Sequence, residues 1–441
     1  MAGRYQAYPD YKDSGVQWLE DIPNHWSIFD AKRIFNNRRE SALFHDEQLA
    51  ASQTYGIIPQ SLMMKLNGSK VMLALKGTSS FRHVEQNDFV ISLRSFEGGI
   101  EHSAYKGCVS PAYTVLGASK EIVPHFYRYL FKSKPFIVAL QSTTDSLRDG
   151  KSITFDQFGA ISLILPAVNE QEKIANFLSY ETVKIDALIE KQQALIELLK
   201  EKRQAVISNA VTKGLNPEAP MKDSGVEWLG EIPEHWTTLK GAFIGKLFGS
   251  ESVSENDVAL EGEIPFIKVS TLLPNGFQVD NPEFYLKKNS GKCFKTNVDY
   301  VVFPKRGGAI FTNKVNIVTF DSIIDPNLMG WQIGEKARSE WMAYLLKLRG
   351  LEDIADVSTV PQINNKHIEP IKFPIAPLDE QNEILNYLSK KLERFDKLKV
   401  KVEIAISLLQ ERRTALISAA VTGKIDVRDW LAPESKAGSK P

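Results

Sequence analysis

The sequence offers few residues whose types and spacing could run a reaction. Gly150-Lys151-Ser152 resembles the end of a phosphate-cradling loop, but Asp145 stands where that loop requires its first Gly. Gly98-Gly99 and Gly307-Gly308 do not form a dinucleotide fingerprint. Asn216-Pro217 and Asn281-Pro282 are each followed by Glu, not by the second Pro and aromatic that build a flipped-base pocket in amino-methyltransferases. The seven His residues contain no HExxH and no ligand-spaced pair. Cys108 and Cys293 lie far apart with no CxxC context, which fits a reducing cytoplasm rather than a disulfide framework or a zinc site. The expectation is a chain with no catalytic residue, no metal and no cofactor of its own.

What remains is chemistry of binding. The 441 residues suffice for two or three domains. Fifty-four basic residues balance 54 acidic ones, which counts against a nucleic-acid binder unless charge is local. Residues 27–165 hold 16 Lys and Arg against 12 Asp and Glu, and residues 237–375 hold 16 of each. Binding to a polyanion would therefore rest on patches, on a partner, or on both. No basic segment followed by an apolar core opens the chain, and no apolar run approaches the roughly 20 residues that span a bilayer.

The elements that must position any binding surface are duplicated. Lys12-Asp-Ser-Gly-Val-Gln-Trp-Leu-Glu-Asp-Ile-Pro-Asn-His-Trp26 returns as Lys222-Asp-Ser-Gly-Val-Glu-Trp-Leu-Gly-Glu-Ile-Pro-Glu-His-Trp236, with 11 of 15 positions identical at an offset of 210. Glu201 to Thr212 returns as Glu411 to Thr422 at the same offset. Each copy has an entry motif (Trp18, His25 and Trp26; Trp228, His235 and Trp236), a divergent middle of about 140 residues, and a closing segment. Recurrence of the His-Trp pairs in the constant part favours a structural plug where each module meets its helix; a partner contact is the alternative.

The closing segments contain no Pro or Gly from Glu170 to Lys213 or from Glu380 to Thr422, enough for a helix of roughly 65 Å each. Asn169 and Asp379 are candidate N-caps, and Gly214 and Gly423 are candidate stops. A heptad-like stripe runs along each helix. In the first it comprises Leu178, Ile185, Leu199 and Val206, with Ile174, Leu188 and Leu195 beside them and Ile189 and Ile196 widening the face. In the second it comprises Leu388, Phe395, Val402, Leu409 and Leu416, with Ile384, Leu398 and Ala405 beside them. Gln192, Lys202 and Lys391 interrupt the seam. Two such stripes predict a helix pair packed as a coiled coil.

In the middles, Phe89-Val-Ile-Ser-Leu93 and Tyr300-Val-Val-Phe303 look like buried strands, each after an Asp and before a Gly-containing turn, with Val115 and Ile317-Val318 on further strands. The fold expected is mixed α/β: two globular α/β modules in pseudo-two-fold arrangement, joined by two long antiparallel coiled-coil helices. The boundaries read as 1–168, helix 169–214, 215–377, helix 378–424 and a tail 425–441. Two unlike readers on a symmetric frame suit two stretches of one duplex, a split and asymmetric site.

These residues resemble the specificity subunits of type I restriction–modification systems over nearly the whole chain. The resemblance rests on Trp18-Leu19…Ile22-Pro23…His25-Trp26 and its copy, and on Asp88-Phe-Val-Ile-Ser-Leu…Phe96-Glu-Gly-Gly. It rests also on Val109-Ser-Pro-Ala-Tyr113, and on the exit patterns Glu170-Gln171…Ile174-Ala-Asn-Phe-Leu178 and Pro377-Leu-Asp-Glu-Gln381…Ile384-Leu-Asn-Tyr-Leu388. It implies two target-recognition domains, each reading half of a bipartite DNA site. It implies partnership with two adenine-N6 methyltransferase subunits and with ATP-driven translocase–nuclease subunits. S-adenosylmethionine, ATP and Mg2+ belong to those partners, and the setting is cytoplasmic. The second half departs where Asp325-Pro-Asn-Leu328 replaces Ser110-Pro-Ala-Tyr113.

On this reading DNA contacts come from polar and basic loop residues. In the first half the candidates are Arg94, Ser95, Arg148 and Lys151. In the second half Lys287, Lys288 and Lys292 crowd a turn-like stretch with Lys295. Lys305 and Arg306 follow a strand, and Gln362, Asn364, Asn365 and Lys366 form a polar run. An ordinary solvated loop is the competing reading of each group. Two other function classes stay open. One is a self-sufficient DNA-modifying enzyme or nuclease. The other is a coiled-coil scaffold joining two protein partners, which the zero net charge favours.

Overall fold

The computed structural model describes residues 5–67, 80–143, 153–250, 252–274, 277–279, 281–286, 299–356 and 360–432. The chain divides into two compact units. One takes the residues up to Gln193 and those from Glu403; the other spans Ala194–Val402. Mixed α/β structure fills both, and two long helices, Val168–Lys213 and Leu378–Val421, each pass from one unit into the other.

Unit 1 opens with a small hairpin, Tyr11–Asp13 against Asp21–Pro23. The strand Ser27–Asp30 pairs with Ser162–Leu165, so both ends of the middle segment meet where the first long helix begins. Between them lies a four-stranded sheet in the order Phe35–Arg38, Thr114–Ala118, Phe89–Ile91, Glu101–His102. Phe35, Phe89, Tyr127, Phe131 and Phe158 form its aromatic core.

Unit 2 repeats the plan. Its hairpin pairs Met221–Asp223 with Glu231–Pro233, and Thr237–Lys240 pairs with Lys372–Ile375 in the register of the first copy. Its main sheet runs Gly245–Phe248, Leu328–Ile333, Tyr300–Pro304, Asn316–Val318, Gln278–Val279. The first three strands match the first three of unit 1 in order and direction. The middles thus share a core under unlike sequences. Beside the main sheet, unit 1 pairs Leu49–Ser52 with Gly56–Pro59 and Arg82–Val84 with Gly107–Val109, and unit 2 has a second sheet of Val258–Ala259, Phe284–Leu286, Ile264–Ile267 and Ile323–Ile324.

The long helices start one residue before the expected caps, which places Asn169 and Asp379 in the first turn. Gly214 and Gly423 follow their ends at φ +76, a left-handed conformation that costs Gly nothing and stops a helix. Within each unit the start of one long helix packs antiparallel against the end of the other. In unit 1, Ile174, Leu178 and Ile185 share a core with Leu416, Ile417, Ala420 and Val421. In unit 2, Ile384, Leu388 and Leu392 share one with Ile207, Ala210 and Val211.

The seam differs in part from the one expected. Leu178, Ile185, Leu388, Val402 and Leu416 are buried, and Leu199, Val206, Phe395 and Leu409 are half-buried. Leu188, Leu195 and Leu398 instead face solvent, at 46%, 40% and 40% exposure, as do Lys202 and Lys391. The second track runs four residues on from each Leu178-type position: Thr182, Ile189, Ile196, Arg203 and Ala210, and in the other helix Leu392, Lys399, Ile406, Arg413 and Ala420. Its polar members have partners. The Thr182 hydroxyl donates to Leu178 O, and the two Arg residues meet carboxylates. Satisfied polar groups can occupy an inner track, so the count of apolar residues alone picked the wrong one.

Candidate nucleic-acid interface

A buried joint anchors each unit to its helix. Glu170, in the first turn of a long helix, is 5% exposed and gathers three partners. Trp26 Nε1 donates to its Oε1 at 3.0 Å, the Tyr8 hydroxyl donates to the same oxygen at 2.6 Å, and His25 Nε2 lies 2.9 Å from Oε2. Burial and the neighbouring carboxylate push the Tyr8 phenol far above its ordinary value. In unit 2, Glu380 receives Trp236 Nε1 at 3.0 Å and His235 at 2.8 Å, and is 26% exposed. A carboxylate at a helix N-terminus also meets the positive end of the helix dipole. Trp26 and Trp236 are fully buried. Trp18 and Trp228 pack at the edges of the two cores, and their Nε1 groups are buried without a partner among the described residues.

The next residue in each copy locks the exit. Gln171 accepts Val123 N–H and donates to Pro166 O, while Gln381 accepts Arg338 N–H and donates to Ala376 O. No linear spacing signals that these Glu-Gln pairs meet the Trp residues 144 positions upstream.

Loops carrying candidate residues leave the other end of the three-stranded core. In unit 1, Arg38 and Val90 both lie opposite Val115, so the strands Phe35–Arg38 and Phe89–Ile91 leave the sheet at one end. In unit 2, Phe248 and Val302 lie opposite Gly330, which gives the same geometry. Arg94 follows the exit strand of unit 1, and Lys305 and Arg306 follow that of unit 2.

Arg94 is exposed, and its guanidinium has no partner among the described residues. Ser95 differs from expectation. It is 1% exposed, and its hydroxyl accepts Ser92 N–H at 2.8 Å, so it braces the turn. Arg148, Lys151, Lys287, Lys288, Lys292 and Lys295 lie outside the described residues.

Unit 2 brings the remaining candidates together. Arg306 bridges Gln362, Gly307 N–H donates to Pro361 O, and Ile363 N–H donates to Lys305 O. Gln362 Nε2 donates to Asn364 Oδ1, and Asn364 caps the short helix Asn365–Ile368 in a box with His367. Burial, aided by Arg306 and opposed by Asp325, lowers the Lys305 pKa below its ordinary value. Arg306, Asn365 and Lys366 are exposed, and Lys366 and His367 share Asp356 at 3.3 Å each. This cluster presents donors and acceptors of the kind that bind phosphates and base edges. Unit 1 has a matching helix Phe155–Gly159 boxed by Thr154 and Gln157, each 210 residues before Asn364 and His367.

Among the described residues no group of three or more His, Cys, Asp or Glu is placed to hold a metal ion. None of their helices is long and apolar enough to cross a membrane. Burial pushes the Cys108 thiol up to about 11.

Comparison with known proteins bears on the whole chain. Residues 233–406 match the type I restriction modification DNA specificity domain. The MjaVIII type I restriction enzyme specificity subunit of Methanocaldococcus jannaschii is 25% identical over 95% of this chain and 98% of its own. The putative MjaX specificity subunit of the same organism is 25% identical over 80% of this chain and 79% of its own. Two solved structures share the fold at 15% identity, each covering 92% of this chain. The HsdS subunit from Thermoanaerobacter tengcongensis aligns over 98% of its length with a TM-score of 0.57. A chain from a study of complex assembly and conformational transition of the type I R-M system aligns over 99% with a TM-score of 0.66. With its two units on long helices, the chain carries a match to the type I restriction modification DNA specificity domain and is similar, over nearly its whole length, to specificity subunits of type I restriction enzymes.

Proposed function

We propose that each unit reads one half of a bipartite, asymmetric DNA site through the loops at the exit end of its three-stranded core. One observation carries this reading. The same end of the same core bears different polar groups in the two copies: Arg94 in unit 1, and Lys305, Arg306, Gln362, Asn364, Asn365 and Lys366 in unit 2. Arg suits guanine edges and phosphates, while Gln and Asn suit adenine edges. The long helices act as the spacer between half-sites. Two methyltransferase subunits and the translocase–nuclease subunits supply S-adenosylmethionine, ATP and Mg2+ chemistry in the cytoplasm. The readings as a self-sufficient enzyme or a protein scaffold find no support in the relatives.

Exchange of residues 27–165 for the corresponding segment of another specificity subunit tests the proposal. Methylome sequencing of a host carrying the exchange and the methyltransferase gene should show one half of the methylated site altered and the other kept. Alteration of both halves refutes a modular reader.

A further inference from the structure

The loop after strand Phe35–Arg38 carries an aromatic ring that the fold leaves in water. Phe44 is 96% exposed, and its neighbour Leu43 is exposed too. The loop is braced rather than slack. Asp46 accepts Leu43 N–H at 2.7 Å and lies 2.7 Å from His83 Nδ1, and buried His83 reaches Glu85 on its other side at 3.0 Å. Glu47 O accepts Cys108 N–H. A ring held out of the core on a fixed loop forgoes hydrophobic burial that it would regain against a partner.

The topology sets this ring at the end that carries Arg94. Ser41 bridges Arg82, which pairs with Val109, the last residue of its strand. From there the chain passes directly to Thr114, opposite Ile91. The acidic groups around the loop are engaged within the protein, which leaves Arg39 free to meet a polyanion. Glu40 and Asp88 pair with Arg38, Asp46 with His83, and Glu85 with His83 and Lys106, while Glu47 accepts the Ser61 hydroxyl. Arg39 is exposed and has no side-chain partner among the described residues, and His45 packs edge-on against Phe44 at 4.9 Å. The position 210 residues on holds Ser254, so unit 2 has no counterpart there.

We propose that Phe44 inserts into the base stack of the half-site read by unit 1. The ring has no hydrogen-bonding group and cannot read a base edge. It can wedge a base step and bend the duplex, which selects sequence through the ease of deformation. This proposal rests on the reading of that end of unit 1 as the DNA-facing end.

The test uses the full chain co-purified with its methyltransferase subunit. The probe is a duplex bearing the site found by methylome mapping, with 2-aminopurine placed in turn along the half-site, away from the methylated adenine. Wild type and Phe44→Trp should raise the fluorescence at one step. Phe44→Ala, an exposed change that leaves the core intact, should abolish that rise and weaken binding about tenfold with an unchanged salt slope. Arg94→Ala should keep the rise and lower the slope. If only Arg94→Ala weakens binding, the wedge is refuted alone. If neither variant weakens it, the DNA-facing reading of this end falls with it. If Phe44→Ala instead loses the methyltransferase subunit during purification, the ring covers protein and the proposal is overturned.

Discussion

Asp186 accepts two hydrogen bonds from Arg413, at 2.7 and 3.2 Å, across the antiparallel helices of unit 1. In unit 2 Arg203 faces Asp396 at 3.9 Å. Asp186 and Asp396 stand 210 residues apart, as do Arg203 and Arg413, so one ion pair has been made twice with its partners exchanged between copies. Both side chains of the first pair are partly exposed, which limits its contribution. Arg413→Ala should cost about 0.5–1 kcal/mol in thermal or denaturant unfolding. The charge swap Asp186→Arg with Arg413→Asp should recover most of it, whereas Asp186→Arg alone should not. Equal loss in the single and the swapped variant would deny the pair any role in register.

The two joints should differ in strength. Glu170 serves three partners and is nearly buried, whereas Glu380 serves two and is a quarter exposed. Glu170→Ala leaves the Trp26 and Tyr8 donors unsatisfied in a dry site, at a cost of about 2–3 kcal/mol. Glu380→Ala should cost about 1 kcal/mol, because water can reach the freed groups. Unfolding curves of the two variants compare them directly, and a larger loss from Glu380→Ala would contradict the burial argument.

Glu20 sits at φ +55 where the second copy has Gly230 at φ +64. A side chain in that region is strained, and Glu20 gains only an exposed contact with Lys424 at 3.5 Å. Glu20→Gly should therefore raise stability, by about 0.5–1 kcal/mol. The reverse change, Gly230→Glu, should lower it by a similar amount. Melting temperatures moving the other way would show that the hairpin absorbs the strain.

The His83 cluster makes unit 1 sensitive to pH. Burial disfavours the imidazolium, but the hydrogen bonds it donates to Glu85 and Asp46 outweigh that and raise the His83 pKa. The hydrogen bonds of His83 and Lys106 hold the Glu85 carboxyl down at about 2. A raised His contributes fully below its ordinary value of ~6.5 and loses that contribution as pH climbs through the raised value. A depressed Glu contributes above its ordinary ~4.3 and loses that contribution as pH falls toward 2. The stability gap between wild type and His83→Gln should be widest between about pH 4.5 and 6.5 and narrow toward pH 9. A gap that widens with pH would reverse the sign of the argument.

Local pattern carried the long helices and the duplicated frame, because missing Pro and Gly, repeated Trp and apolar strands act over short stretches. It did not carry the joints. His25-Trp26 stood out by repetition, yet Glu170 lies far along the chain, and no linear spacing ties them. The seam shows the same limit. Leu188, Leu195 and Leu398 look like better seam residues than Arg203 and Arg413 until the opposing carboxylates are in view. Ser95 looked available because it follows a strand, but its hydroxyl is used by the turn itself.

Gly214, which ends the first long helix, packs beside Trp236 of the second copy, and Gly423, which ends the second, packs beside Trp26 of the first. A protein made from one copy alone would present a helix end with nowhere to dock and a Trp socket with nothing to receive. Two such half-length chains could satisfy each other head to tail. A self-pairing ancestor would then need only a gene fusion, followed by drift of one middle segment, to carry two unlike middles on one frame.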